Sequence, residues 1–143
     1  MTKKQDLALA LLRAVVGIVF IAHGYQKLFQ FGIHGVAGMF GQIGIPMPLL
    51  SAYLVTFTEL FGGIALLLGF LTRVAAIPVA FNMLVALLQV HLKGGFFLPA
   101  GFEYVLVLLV ANIALITGGG GAFALDNVLW SKRPQLKPAK VAA

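Results

Sequence analysis

Four long apolar stretches run along the chain, separated by short segments that contain polar residues or glycine. The stretches cover residues 7–29, 49–71, 74–92 and 102–117. A helix needs about 20 apolar residues to cross a hydrocarbon core of about 30 Å, and only the last stretch is clearly shorter. The pattern predicts an all-α membrane protein, a bundle of four transmembrane helices in a single domain over residues 1–130.

The intervening segments differ in kind. Residues 31–48 contain five glycines and two prolines but no Lys, Arg, Asp or Glu, which predicts a loop, with at most an interfacial helix in it. Residues 122–130 have an amphipathic pattern, which predicts a short C-terminal interfacial helix. Residues 131–143 are basic and contain prolines, so we predict a disordered tail.

Composition excludes several classes of protein. The chain is 61% hydrophobic and 10% charged, whereas a soluble domain carries roughly 25% charged residues. The sequence contains no cysteine, which excludes disulfide exchange, thiolate-bound haem, iron–sulfur clusters and cysteine nucleophiles. Redox chemistry would therefore require a bound cofactor or a partner protein.

The positive charge lies mainly at the two ends of the chain. Six of the ten basic residues are there, and they are Lys3, Lys4, Lys132, Arg133, Lys137 and Lys140. This distribution suits anionic lipid headgroups and does not indicate nucleic-acid binding. The side of the membrane that holds both termini collects most of the basic residues, so the positive-inside rule predicts that both termini are cytoplasmic.

Ionisable residues inside a span cost about 2.5–3.5 kcal/mol each to insert, which makes them candidates for function. Glu59 lies near the middle of the second stretch, where a short side chain has no route to water. It must be protonated or paired. Two interpretations remain open, an interhelical bond that locks the bundle and a carboxyl group that exchanges protons or binds a ligand.

The first stretch predicts an inward face that matches one on the second stretch. At helical spacing the first face has Arg13, Gly17, Phe20, Gly24 and Lys27, and the second has Glu59, Gly63, Leu66 and Phe70. Glycines on both faces allow close backbone approach. We expect His23 to contact Glu59, while Arg13 either extends to the headgroups or forms an ion pair with Glu59.

Other polar residues have less specific interpretations. His91, Lys93, Lys27 and Glu103 lie near helix ends and form either a hydrated cluster or a solvated rim. Asn82, Gln89 and Asn112 are expected to form hydrogen bonds between helices. His23 and His91 differ by about 8 Å in depth at a rise of ~1.5 Å per residue, and no tight ligand spacing is present, so we expect neither haem nor a metal site.

Three segments together resemble the DoxX family of small four-helix bacterial membrane proteins. The first contains Leu12-Arg13, Gly17, His23-Gly24 and Lys27-Leu28, and the second contains Glu59-Leu60, Gly63, Leu68-Gly69 and Thr72-Arg73. The third contains Ala86, His91, Gly94, Phe97, Gly101, Glu103-Tyr104, Gly118 and Leu125-Asp126. The resemblance extends over residues 11–129 and depends on the order and spacing of the motifs.

The resemblance implies a subunit of a membrane oxidoreductase in the bacterial inner membrane. The family's namesake resembles a subunit of a thiosulfate:quinone oxidoreductase, and other members are proposed to join redox complexes that defend against oxidative or thiol stress. Partners would be membrane lipids, a soluble redox protein and a second copy of the chain.

The resemblance implies a quinone as ligand, and the polar residues can supply what its headgroup needs. Glu59 and His23 would be the catalytic residues that exchange protons. The headgroup would be bound by Lys27, Arg13, His91, Glu103 and Tyr104, with Phe20, Phe57, Phe61 and Tyr104 lining an apolar slot. Two other functions remain open, a non-catalytic scaffold or assembly factor for soluble redox enzymes and a small transporter or lipid-handling protein.

Overall fold

The computed structural model describes residues 2–130, and every regular element in that range is helical. The α-helices are α1 (Lys3–Tyr25), α2 (Gly32–Gln42), α3 (Pro48–Leu68), α4 (Thr72–Ala86), α5 (Glu103–Gly118) and α6 (Leu125–Trp130). A π-helical segment, Gln26–Phe31, joins α1 to α2, and π and 3₁₀ turns extend α4 to Gly94. The predicted tail over residues 131–143 lies outside the described residues.

The predicted fold class, an all-α membrane protein, is confirmed. Three helical stretches within residues 2–130 are long and apolar enough to cross a membrane. They are Lys3–Gln42, Pro48–Leu68 and Thr72–Gly94. Glu103–Gly118 is also apolar but has only 16 residues, fewer than the roughly 20 that cross a full hydrocarbon core.

Helix α1 begins at Lys3, ahead of the apolar stretch that predicted it. Thr2 and Gln5 form a capping box, in which the Gln5 N–H donates to Thr2 Oγ1 at 3.3 Å and the Thr2 N–H donates to Gln5 Oε1 at 2.9 Å. Hydropathy alone places the start too late because the first turn contains charged residues.

Of the two alternatives for residues 31–48, a loop throughout or a loop that contains a helix, the structure has the second, because α2 occupies Gly32–Gln42. Ile33, Val36 and Phe40 follow helical spacing within the glycine-rich sequence, and Val36 is fully buried. Gly32 has φ +69°, a conformation that separates α2 from the π-helical segment and that favours glycine. The helix packs against α3, so tertiary burial outweighs the poor helix propensity of glycine.

Helices α1 and α3 are in backbone contact. A Cβ atom added to Gly17 would lie 2.7 Å from the Leu67 nitrogen, and one added to Gly63 would lie 2.7 Å from the Ile21 nitrogen. Gly24 makes the same approach to Leu60. The predicted matching faces are therefore confirmed at their centres, whereas Phe70 is exposed and does not belong to the inward face.

The remaining helices complete a ring in which α3 packs on α4, α4 on α5, and α5 more lightly on α1. Their shared core is apolar. It contains Val16, Phe20, Leu66, Ala76, Val79, Met83, Val105, Leu108 and Leu115. Large apolar side chains also cover the outside of the bundle, as expected where the solvent is lipid.

One end of the bundle, which we call the Arg13 end, is closed by α6 and the loop before it. The Arg13 side chain is buried and donates from all three guanidinium nitrogens, to Gly120 O at 2.9 Å, Leu66 O at 2.8 Å, Leu67 O at 2.5 Å and Ala122 O at 3.4 Å. Two of these bonds go to carbonyl groups at the end of α3, where Leu66 O also accepts from the Gly69 N–H at 3.0 Å, and the other two go to the loop before α6. Arg13 is therefore a structural cross-link between α1, α3 and the loop before α6.

Asp126 in α6 supplies the N-terminal cap that α4 lacks locally. Its Oδ1 accepts from the Leu71 N–H at 2.6 Å, and its Oδ2 accepts from the Thr72 N–H at 2.9 Å. A carboxylate at this position satisfies free backbone donors and complements the helix dipole. The segment predicted as an interfacial helix is thus tied to the bundle by hydrogen bonds.

We expect Gly17→Ala to lower the stability of the protein, because its methyl group would enter the space of the α3 backbone. Overpacking of this kind costs about 1–3 kcal/mol. Gly38→Ala in α2 is the matched control, since a Cβ atom there meets nothing within 4 Å. Thermal unfolding in detergent measures the stability of both variants. Equal unfolding midpoints would contradict the close contact of α1 and α3.

Candidate functional site

A buried ion pair joins α3 to the π-helical segment after α1. Lys27 Nζ lies 2.6 Å from Glu59 Oε2, and the side chains are 19% and 4% exposed. Within residues 2–130 this is the only salt bridge. π-helical segments occur frequently at functional sites, and this one places Lys27 against α3.

The contact of Gly24 with Leu60 explains why these two side chains meet. Because α1 and α3 run antiparallel at backbone contact, the residues that follow Gly24 lie beside the residues that precede Leu60. Lys27 is one helical turn beyond Gly24, and Glu59 directly precedes Leu60. A bulkier residue at position 24 would separate the backbones and move the two charges apart.

The pair keeps hydrogen-bonding capacity for a ligand. Glu59 Oε2 accepts from Lys27, whereas the described residues give Glu59 Oε1 no hydrogen-bond partner. An ammonium group has three N–H donors, and Lys27 uses one of them on Glu59. The site therefore offers two donors and one carboxylate oxygen acceptor.

His23 and Tyr104 lie across the junction of α1 and α5. Their ring centroids are 6.4 Å apart and the ring planes are tilted by 47°. His23 is four residues before Lys27, which follows α1 in the π-helical segment, so its imidazole lies about one turn from the ion pair. Glu59 makes its hydrogen bond with Lys27, not with His23 as the sequence suggested.

The other predicted site residues lie elsewhere. Arg13 is bonded to backbone carbonyls at the Arg13 end and makes no salt bridge with Glu59. His91 Nδ1 lies 3.3 Å from Ala100 O, and Glu103 Oε1 accepts from the Leu98 N–H at 2.8 Å. These contacts hold the loop between α4 and α5, so the predicted hydrated cluster of His91, Lys93, Lys27 and Glu103 does not form through hydrogen bonds.

The aromatic slot predicted around the site is only partly present. Phe20 is buried in the core. Phe57 and Phe61 stack with a centroid distance of 5.7 Å on the exposed face of α3, about 200° around the helix from Glu59 at ~100° per residue. They therefore face lipid and do not line the interior.

A groove of about 640 Å³ runs along the exposed face of α1, passes His23 and continues along the π-helical segment. Its other lining residues are Ile18, Ile21, Ala22, Tyr25, Gln26, Gln30 and Leu67. The lining is mainly apolar, with polar groups near His23. Neither Lys27 nor Glu59 lines the groove, whereas His23, four residues before Lys27, does.

Sequence reasoning missed Thr56, which is fully buried on the same face of α3 as Glu59 and whose Oγ1 has no hydrogen-bond partner. The signal was its spacing of three residues from Glu59.

Asn82 and Asn112 also differ from the expectation that they form hydrogen bonds between helices. Asn112 Nδ2 donates to Leu108 O in its own helix, and no hydrogen bond from either side chain to another helix occurs in the described part of the chain.

We expect Lys27→Met to lower stability by about 3–5 kcal/mol, because it leaves a buried carboxylate without its partner. The double variant Lys27→Met/Glu59→Gln removes both charges and should recover most of that loss. Thermal unfolding in detergent gives the coupling between the two positions, with Lys93→Met as a control outside the site. Equal stability of the single and double variants would contradict a coupled pair.

Comparisons with known proteins agree with the fold and the membrane setting. The family model described as DoxX matches residues 8–92. The chain is 36% identical to the Bacillus subtilis protein named "Putative oxidoreductase CatD" over 126 residues, which are 88% of this chain and 90% of that protein. It is 37% identical to "Uncharacterized membrane protein Rv3486" of Mycobacterium tuberculosis, covering 85% of this chain and 80% of that protein.

A third relative, "Inner membrane protein YqjF" of Escherichia coli, is 31% identical over 92% of this chain and 99% of its own length. No solved structure matches the chain. The matched residues 8–92 include both members of the ion pair as well as Arg13 and His23. The chain belongs to the DoxX family of membrane proteins.

Proposed function

We propose that this DoxX-family membrane protein is a quinone-interacting subunit of a membrane redox complex. It binds the quinone headgroup at the Lys27–Glu59 pair and receives electrons from a soluble redox partner. The observation that carries this proposal is the buried ion pair with unused donors on Lys27 and an unused acceptor on Glu59.

The pair fits both redox forms of a quinone headgroup. The free N–H groups of Lys27 can donate to a quinone carbonyl oxygen, and Glu59 Oε1 can accept from a hydroquinone hydroxyl. Charge-assisted hydrogen bonds of this kind are stronger than neutral ones. The low dielectric of the bundle interior strengthens them further.

Reduction of a quinone to a hydroquinone consumes two electrons and two protons. The chain has no cysteine, so the electrons come from the redox partner. One proton is available between Lys27 Nζ and Glu59 Oε2. The second enters from water, and the imidazole of His23 relays it by accepting a proton at one ring nitrogen as it donates from the other. The Lys27 ammonium also stabilises negative charge on the headgroup oxygen before that oxygen is protonated.

The groove that passes His23 supports access from the lipid phase. Its apolar residues suit an isoprenoid tail, and its volume of about 640 Å³ lies in the range of roughly 300–1,000 Å³ found for small-molecule sites. His23 also borders the junction of α1 and α5, where the centroid of its ring lies 6.4 Å from that of Tyr104. Tyr104 offers an aromatic face and a hydroxyl group there.

The names of the relatives support a redox role in a membrane. One relative is named "Putative oxidoreductase CatD", and two are named inner membrane proteins of Escherichia coli. We extend this to the present chain as a protein of the bacterial inner membrane with both termini cytoplasmic, in line with the basic residues at its ends.

Lys4→Cys in this cysteine-free chain tests the orientation, because a membrane-impermeant maleimide should label it only from the cytoplasmic side.

Mass spectrometry of organic extracts from gently purified protein tests quinone binding. We expect quinone close to one per chain in the unaltered protein and a loss of about tenfold or more in Lys27→Met/Glu59→Gln, because loss of each charged hydrogen bond costs roughly 1.5–3 kcal/mol. The double variant avoids an unpaired buried charge. Lys93→Met, which removes a lysine outside the site, should keep its quinone.

Full quinone content in the double variant would contradict the proposal. Absence of quinone from every sample, together with a soluble redox enzyme that co-purifies equally with unaltered protein and Glu59→Gln, would favour the non-catalytic scaffold instead. Solute flux into proteoliposomes would favour the transporter.

A further inference from the structure

Four buried side-chain atoms have no hydrogen-bond partner among the described residues. One of them, Thr72 Oγ1, lies at the start of α4, and the other three lie deeper in the bundle. They are Thr56 Oγ1 on α3, Asn82 Nδ2 on α4 and Asn112 Oδ1 on α5. Thr56 and Asn112 are fully buried. Leaving a buried polar group unsatisfied costs about 1–3 kcal/mol, so three of them in one interior indicate a binding partner.

The packing of α3 on α4 places Asn82 at the level of Glu59. The two helices are joined by a tight turn between Leu68 and Thr72 and run antiparallel. A Cβ atom added to Gly62 would lie 2.6 Å from Val79 Cγ2, which fixes the register. In that register position 82 lies opposite position 59, and Thr56 is less than one turn away along α3.

The packing of α4 on α5 places Asn112 within about one turn of Asn82. Arg73 at the start of α4 lies against the end of α5, since its Nη2 is 3.5 Å from Gly118 O. Counting from that contact places position 112 opposite position 79, to within about the one turn that an arginine side chain spans. At a rise of ~1.5 Å per residue, Thr56, Asn82 and Asn112 occupy a layer about 9 Å thick that also contains the Glu59 level.

We infer that this polar layer, formed by Thr56, Asn82 and Asn112, is a binding site for internal water. Asn82 Nδ2 is a donor, Asn112 Oδ1 is an acceptor, and the Thr56 hydroxyl can be either. A buried water needs two to four such partners. One water that accepts from Asn82 and donates to Asn112 satisfies both amides, and a second satisfies Thr56.

Water in the polar layer would also reach Glu59. Oε1 of this carboxylate has no hydrogen bond within residues 2–130, and Lys27 occupies the other oxygen. A water that is held by Asn82 and Asn112 and donates to Oε1 gives Glu59 a second partner. That water would link Glu59 to α4 and α5. The inference goes beyond the proposed function, because it concerns the interior of the bundle and requires no quinone.

Radiolytic hydroxyl footprinting of the intact protein tests for this water. Radicals formed from bound water oxidise neighbouring side chains, so a buried side chain becomes oxidised only where water is held beside it. Met83 is the reporter, because it is 7% exposed and directly follows Asn82. Met47, which is 68% exposed, gives the reference for bulk solvent.

We expect clear oxidation of Met83 in the unaltered protein and a decrease of at least about fivefold in Asn82→Leu/Asn112→Leu, which removes two of the partners that a water needs. Gln89→Leu is the matched control, since Gln89 is an exposed polar residue of the extended α4. Thr56→Val, which conserves side-chain volume, should lower Met83 oxidation by a smaller factor.

Unoxidised Met83 in the unaltered protein would overturn the inference. Equal oxidation of Met83 in the unaltered protein, the double variant and Thr56→Val would also overturn it. If the double variant does not fold, the unaltered protein and Thr56→Val decide the question. Because no sample contains added quinone, failure of this inference is separate from failure of the proposed function.

Discussion

The arrangement of the bundle depends on how closely α1 and α3 approach each other. Gly17, Gly24 and Gly63 have no side chains, so the two backbones meet directly. In a membrane, where lipid tails are as apolar as leucine, such contact replaces the hydrophobic effect as a source of helix association. The same contact brings Lys27 within 2.6 Å of Glu59. The close packing therefore positions the candidate site as well as stabilising the fold.

Two cationic side chains inside the same bundle have different hydrogen-bond partners. Arg13 donates to four backbone carbonyls, two at the end of α3 and two in the loop before α6, and all three of its nitrogens are engaged. This use of a planar guanidinium group is structural. Lys27 makes one bond, to a carboxylate that has one oxygen free. Unused hydrogen-bonding capacity, and not burial alone, distinguishes the candidate functional site from the structural cross-link.

Polar groups occur at several neighbouring positions of the interior. His23 lines the apolar groove and is four residues before Lys27 of the ion pair. Thr56, Asn82 and Asn112 have unpaired atoms at nearly the same depth as the pair. If water fills that polar layer, a ligand at the ion pair would be hydrogen-bonded to lipid-accessible groups on one side and to interior water on the other.

Much of this protein could be predicted from its sequence. Apolar length and low charge indicate a helical membrane protein, and the spacing of Gly17, Gly24 and Gly63 predicts the inward faces of α1 and α3. The sequence left α2 undecided between a loop and a helix, because a glycine-rich helix is stabilised by packing that local propensity does not report. Hydropathy likewise gave no sign of the Thr2 cap that starts α1 early.

The candidate site, like the fold, was determined partly by the sequence and partly only by the tertiary structure. The sequence by itself determined that Glu59 must be neutralised, because a carboxylate within an apolar span has no water to solvate it. Its partner was decided only by the tertiary structure, since Arg13, His23 and Lys27 lie on or beside one face of α1. The choice depended on which of them the register of two antiparallel helices brought to the level of Glu59, and a register is set by contacts between helices, which no pattern along one chain contains.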